Sequence, residues 1–195
     1  MNRLRVFGVT FLLFSAVALA DDTFQIRYAA NLNIGDSFVD FTNTGATVVG
    51  GVRQNLCINV YTFDQAEELI SCCTCSVTPN GLQSLSVSKS LISDPLTPAV
   101  PPSVVIKLVA STGACNAAAV GTLAHGLLAW GTTLHQNTST ATPTYALTET
   151  PFSFADLSAA ELSHITTLCG FIQSNGSGFG ICKGCSAGGL GAVAQ

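Results

Sequence analysis

Eight cysteines, three of them within the four positions from Cys72 to Cys75, constrain this chain more than any other feature. The full set is Cys57, Cys72, Cys73, Cys75, Cys115, Cys169, Cys182 and Cys185. Adjacent Cα atoms lie about 3.8 Å apart, short of the roughly 4.4–6.8 Å that a disulfide spans, so Cys72 and Cys73 suit distant partners better than each other. A Cys73–Cys75 ring is nearly as tight. If no two members of the cluster bond together, each takes one of the five other cysteines, and the remaining two pair with each other. The cluster is then a hub for three crosslinks. Two arrangements stay open. In one, Cys182 and Cys185 pair together, and Cys57, Cys115 and Cys169 converge on the hub. In the other, Cys182 or Cys185 reaches the hub and pins the glycine-rich C-terminus.

Two chemical readings compete with a purely structural one. The stretch "CKGC" (182 to 185) has the CxxC spacing of thiol–disulfide exchangers. Such sites need a cysteine of lowered pKa, usually at a helix N-terminus, whereas "GSGFGI" before the motif and "SAGGLG" after it signal no helix. A zinc site from Cys72 or Cys73 with Cys75, Cys182 and Cys185 has ligands of the right type, but its CxC spacing suits zinc poorly. Haem attachment is excluded because Ser186, not histidine, follows Cys185.

An even cysteine count reads as a disulfide set only in an oxidising compartment. The first residues point there. "MNRLRVFGVTFLLFSAVALADD" has a basic start at Arg3 and Arg5, an apolar stretch from Val6 to Leu19, and a small-residue cleavage signal at Ala18-Leu19-Ala20. That is the pattern of a secretory signal peptide over 1–20, leaving 21–195 as a single mature domain. No later apolar run is long enough to span a bilayer. Only 9% of residues are charged, and the net charge is -4. A weakly acidic, lysine-poor surface argues against nucleic acid as a partner.

Alternation of apolar and polar residues predicts strands. In "TFQIRYAA", Phe24, Ile26 and Tyr28 share one face, and Gln25 and Arg27 share the other. "SFVDF" (37 to 41) follows a Gly35-Asp36 turn. "NLCINVYTF" places Leu56, Ile58 and Val60 opposite Cys57, Asn59 and Tyr61. "DQAEELI" reads as a short helical turn capped by Asp64, which the cysteine cluster ends. "LQSLSVSKSLI", "SVVIKLVAS", "GLLAWGTTLHQ" and "TYALTET" read as further strands, with the proline-rich "SDPLTPAVPPS" as a connector. Ser158 to Glu161 opens a helix carrying Leu162, Ile165, Cys169 and Ile172, which Asn175-Gly176 stops. The expected fold is mainly β: an antiparallel, immunoglobulin-like sandwich of about seven strands, with a C-terminal α-helix, multiple disulfides and a flexible glycine-rich tail from about 186 to 195.

Other constellations are weak. His125, His135 and His164 form no HExxH motif. Asp36 and Asp40, four apart on one expected strand face, are a conceivable calcium pair, although a solvated face explains them. Trp130 and Tyr145 fit core packing better than a carbohydrate or peptide surface. No catalytic, cofactor-binding or metal residue is assigned, and the cysteines are the sites to follow.

The segments "NLNIGDSFVDFTNTGA", "NVYTFDQAEELISCCTCSVTPNGL" and "GFIQSNGSGFGICKGCSAGGLG" resemble a group of uncharacterised exported bacterial proteins. The resemblance covers most of the mature chain and implies export from a bacterium, with no activity to transfer. The expectation is a secreted, non-enzymatic structural or interaction module, periplasmic, cell-surface or extracellular. It would associate with other chains or with itself through an edge strand, exchanging its first strand or its glycine-rich tail. The alternatives are a thiol-redox protein working through Cys182 and Cys185, and a thiolate metal-binding module.

Overall fold

A computed structural model describes residues 22–92, 99–139 and 142–185. The expected signal peptide and glycine-rich tail lie outside them. The described chain forms two antiparallel sheets stacked face to face, with one helix covering the outer face of the larger sheet. The strands are β1 (Phe24–Ala29), β2 (Phe38–Asn43), β3 (Val48–Val49), β4 (Val52–Arg53), β5 (Leu56–Phe63), β6 (Leu69–Val77) and β7 (Leu82–Ser86). Then come β8 (Val104–Thr112), β9 (Thr122–Leu123), β10 (Leu127–Asn137), β11 (Thr144–Pro151), β12 (Ser153–Phe154) and the helix α1 (Ala159–Asn175). The first sheet runs β12-β1-β8-β5-β6, with β9 paired to β8, and the second runs β11-β10-β2-β7. A small hairpin, β3-β4, stands apart. The mainly β sandwich with a terminal helix is as expected. Four of the twelve strands are two residues long, too short to leave an alternating pattern.

The interior between the sheets holds Leu56, Ile58 and Val60 of β5 and Val104, Ile106 and Leu108 of β8, against Val39, Phe41, Leu85, Leu127 and Ala129 of the second sheet. The other face of β5 is buried too, because α1 lies there. Tyr61, Phe24 and Val109 meet Ile165 and Cys169 of the helix in a second apolar layer. Ser158 caps α1 by accepting from Glu161 N at 3.1 Å, and Gly176 ends it at φ 65, where the left-handed backbone favours glycine. The Glu161 carboxylate meets Lys107 on β8, fastening the first turn of the helix to the sheet. Tyr61 is fully buried, and its hydroxyl donates to the Ala117 carbonyl at 2.6 Å. Burial pushes its phenol above the ordinary value. Tyr61→Phe should lower unfolding stability by about 1–3 kcal/mol, because the carbonyl stays buried without its donor. Urea unfolding measures this, and a loss near zero would mean that water reaches Ala117.

Three local readings are corrected. "DQAEELI" is not a helical turn: Asp64 to Glu68 form the loop of the β5–β6 hairpin and Leu69 and Ile70 already belong to β6, with Asp64 Oδ1 accepting from Ala66 N and Glu68 N, both at 2.9 Å, and Glu67 at φ 63. An aspartate that folds back on the next backbone donors makes a turn as readily as a helix cap. "LQSLSVSKSLI" is strand only as far as Ser86. Val87–Leu91 then coils into a π-helical turn, opened by the Ser86 hydroxyl accepting from Lys89 N and held by Asp36 Oδ1 accepting from Ser88 N. In β1 the polar face, not the apolar one, points between the sheets. Gln25 and Arg27 are buried while Tyr28 is exposed. Helix α1 covers Phe24 and Ile26 from the other side. Inside, Gln25 Nε2 donates to the Leu127 carbonyl at 2.8 Å, which satisfies the amide across the sheets.

Candidate functional site

Strand alternation explains the sulfur cluster. Successive side chains on β6 point to opposite faces, so Cys72 leaves on one side and Cys73 and Cys75 on the other. Cys72 faces the helix and bonds to Cys169 on α1. Cys73 and Cys75 face inward and bond to Cys182 and Cys185 respectively. Cys57, on the helix side of β5, pairs with Cys115 in the loop that crosses that face. No cysteine is free. The cluster is therefore the expected hub, and it pins the C-terminal segment through both Cys182 and Cys185 rather than one of them, which leaves Cys57 and Cys115 to pair with each other. The other arrangement, with Cys182 and Cys185 left to each other, is not found, because those two residues approach β6 beside two different inward-facing cysteines.

Hydrogen bonds reinforce the crosslinks. Cys72 N donates to Gly180 O at 2.8 Å and Cys182 N donates to Cys72 O at 3.3 Å, a short parallel bridge along the outer edge of β6. Lys183 N donates to Ser90 O, and Gln83 Nε2 donates to Gly184 O at 3.0 Å. The segment 180–185 is thus stitched to β6, to β7 and to the π-helical turn.

A cavity of about 380 Å³ opens beside the hub, lined by Thr74, Asn116, Gln173, Ile181 and several of the disulfide sulfurs. Among the described residues that line it, Thr74, Asn116 and Gln173 supply the polar side-chain groups. The sulfurs of Cys73, Cys75 and Cys185 lie within 4.8 Å of one another, and Cys73 Sγ touches Cys185 Sγ at 3.2 Å across the two disulfides. Thiolates so placed have the spacing of a soft-metal site, but in this arrangement every sulfur is already bonded to another. The CxxC pair is not a disulfide, and both of its cysteines are buried.

The remaining candidates are dispersed. His125 pairs with Asp22 at 2.7 Å, and His135 meets the Thr148 hydroxyl at 2.9 Å. His164 stands on the exposed side of α1 near Lys107, Glu161, Asp64 and Glu67, around a shallow cavity of about 290 Å³. There Lys107 lies 4.6 Å over the Phe63 ring and contacts Glu161, a packing role that explains the cluster. Asp36 and Asp40 do not form a pair. Asp36 precedes β2 and accepts from Ser37 N, Ser86 Oγ and Ser88 N, whereas Asp40 lies on β2 opposite Ser84 and Trp130. Tyr145 is 57% exposed on β11, and Trp130 is half-buried on the uncovered face of the second sheet, so neither belongs to the core. Sequence reading missed this because a strand pattern does not tell which face is covered. The first strand, expected as an exchangeable edge, lies between β12 and β8.

No family model, curated protein or solved structure matches the chain.

Proposed function

We propose that this protein is an exported, disulfide-stabilised structural or interaction module of the cell surface or extracellular space, working without a catalytic centre. The sulfur arrangement carries the proposal. All eight cysteines are paired, and three bonds fasten one strand to the last described segments of the chain. Buried crosslinks of this kind suit an oxidising compartment. The export-like first 20 residues and the resemblance to exported bacterial proteins support the same reading. Among the described residues, no helix is long and apolar enough to cross a membrane.

The test is alkylation and mass spectrometry of the native protein in a glutathione buffer. Four intact disulfides are expected after hours at a cytosolic thiol poise. The second reading, thiol exchange or soft-metal binding at Cys73, Cys75, Cys182 and Cys185, draws on the 3.2 Å contact between the two disulfides. Selective alkylation of those four cysteines, or zinc retained in equimolar amount after mild reduction, would replace the structural reading with it.

A further inference from the structure

The fold protects its sheet edges unequally. The bridge at Cys72 and Ile181 caps the outer edge of β6. Strands β9 and β12 are two residues each, and β7, five residues long, has Gln83 bonded to Gly184. Strand β11 is the exception. It pairs with β10 through eight regular positions, has no partner strand or bridge on its other side among the described residues, and is exposed at every residue. Its edge defences are sparse: it has no lysine and no bulge, Glu149 is its one charge, and proline stands only at its two ends, at Pro143 and Pro151.

Backbone alternation tells which groups are open. Phe152 N donates to Ala129 O at 2.9 Å, in register with the Gly131–Thr150 pair. The even residues Thr144, Ala146, Thr148 and Thr150 therefore turn their N–H and C=O toward β10. Tyr145, Leu147 and Glu149 turn theirs outward. Pro151, which has no N–H to offer, occupies an outward position, where it costs the monomer nothing.

We infer that β11 is a self-association edge, on which a second copy of this chain pairs antiparallel about a two-fold axis at Leu147. The inference rests on the proposed role as an interaction module and names its partner. The strand is self-complementary in that register. Leu147 meets its own copy, and Tyr145 meets Glu149 of the second chain. The three outward residues of each chain exchange six backbone hydrogen bonds. The single charge of the strand, Glu149, lies four positions from its symmetry mate's level, about 13 Å along the strand, so like charges do not meet. Leu147 and Tyr145 are 61% and 57% exposed, and pairing buries them beside Leu134 on a sheet grown from four strands to eight. One strand pair falls short of the roughly 1,000 Å² of a stable interface, so the dimer is weak, half-formed at about 0.1 mM.

Sedimentation equilibrium of the oxidised protein from about 10 µM to 1 mM tests this, together with hydrogen exchange at both ends of that range. A dimer should appear, with the amides of Tyr145, Leu147 and Glu149 gaining protection as it forms. Leu147→Pro removes an outward donor that the monomer does not use and should weaken dimerisation by about tenfold or more. Leu147→Lys keeps the donor, places two cations at the axis, and should do the same if the proline variant folds poorly. A strict monomer at 1 mM overturns the inference. A dimer indifferent to both variants, or one that protects other amides, also overturns it. Since the interaction-module reading stands or falls on the glutathione test, a monomer with intact disulfides would sink the dimer alone.

Discussion

Removing the Cys57–Cys115 bond should cost more stability than removing either inward hub disulfide, although the hub disulfides join residues nearly twice as far apart in the chain. The separations are 58 for Cys57–Cys115 against 109 for Cys73–Cys182 and 110 for Cys75–Cys185. Taken singly, the longer loops would give the larger effect. They are not single, however. With Cys75–Cys185 intact, Cys73 and Cys182 are held together through two residues of β6 and three of the terminal segment, a ring of about five residues. Restoring the missing bond then removes only about 2 kcal/mol of chain entropy from the unfolded state. Cys72–Cys169 closes a ring of about 14 residues through Cys73–Cys182, for about 3 kcal/mol. Nothing shortens the Cys57–Cys115 loop, so Cys57→Ala with Cys115→Ala should cost about 4 kcal/mol, a large share of a typical domain's stability. Urea unfolding of the three double-alanine variants gives the order. If Cys73→Ala with Cys182→Ala costs as much as the Cys57 and Cys115 pair, the hub bonds stabilise by packing in the folded state and not by loop closure.

Redundancy of this kind was half legible in the sequence. The adjacency of Cys72 and Cys73 is enough to send both to distant partners. Their destinations depend on "CCTC" being strand, and that was hidden. Both faces of the first sheet are buried, one by the second sheet and one by α1, so β5 is buried at all eight positions and β6 at six of nine. A strand buried on both faces loses the alternation that announces it. Asp64, with Glu67 three residues later, then imitates a helix cap. Where one face meets solvent, as at Lys89 and Ser90 of the π-helical turn, local hydrogen bonds decide the conformation and leave no periodic trace. The helix α1 was legible because both of its ends carry their own signals, Ser158 and Gly176. The sandwich itself was legible from Leu56, Ile58 and Val60 and from Val104, Ile106 and Leu108, which do alternate toward one core.

Arg27 shows the opposite situation, a polar residue that pattern alone places outside and packing places inside. It is 7% exposed, and burial lowers its pKa. Its guanidinium donates to Thr150 O at 3.0 Å, to the Thr150 hydroxyl, and to Thr133 Oγ1 at 2.9 Å, while its Nε has no partner among the described residues. No carboxylate neutralises it in these contacts. Room for the side chain comes from Gly131 on β10: a Cβ there would stand 2.5 Å from Arg27 Cδ and 2.8 Å from Cζ. Those atoms belong to a side chain held at its far end by both threonines, so it cannot swing clear without breaking its hydrogen bonds. Gly131→Ala should therefore lower stability by about 2–3 kcal/mol, at the upper end for one added methyl, through overpacking and lost hydrogen bonds together. Arg27→Ala should cost a similar amount by leaving a cavity and removing the hydrogen bonds to Thr133 and Thr150. The double variant should cost at least about 1 kcal/mol less than the sum, because each change removes what makes the other harmful. A double-mutant cycle by urea unfolding measures the coupling, and strictly additive losses would show that Arg27 and Gly131 do not compete for the same space.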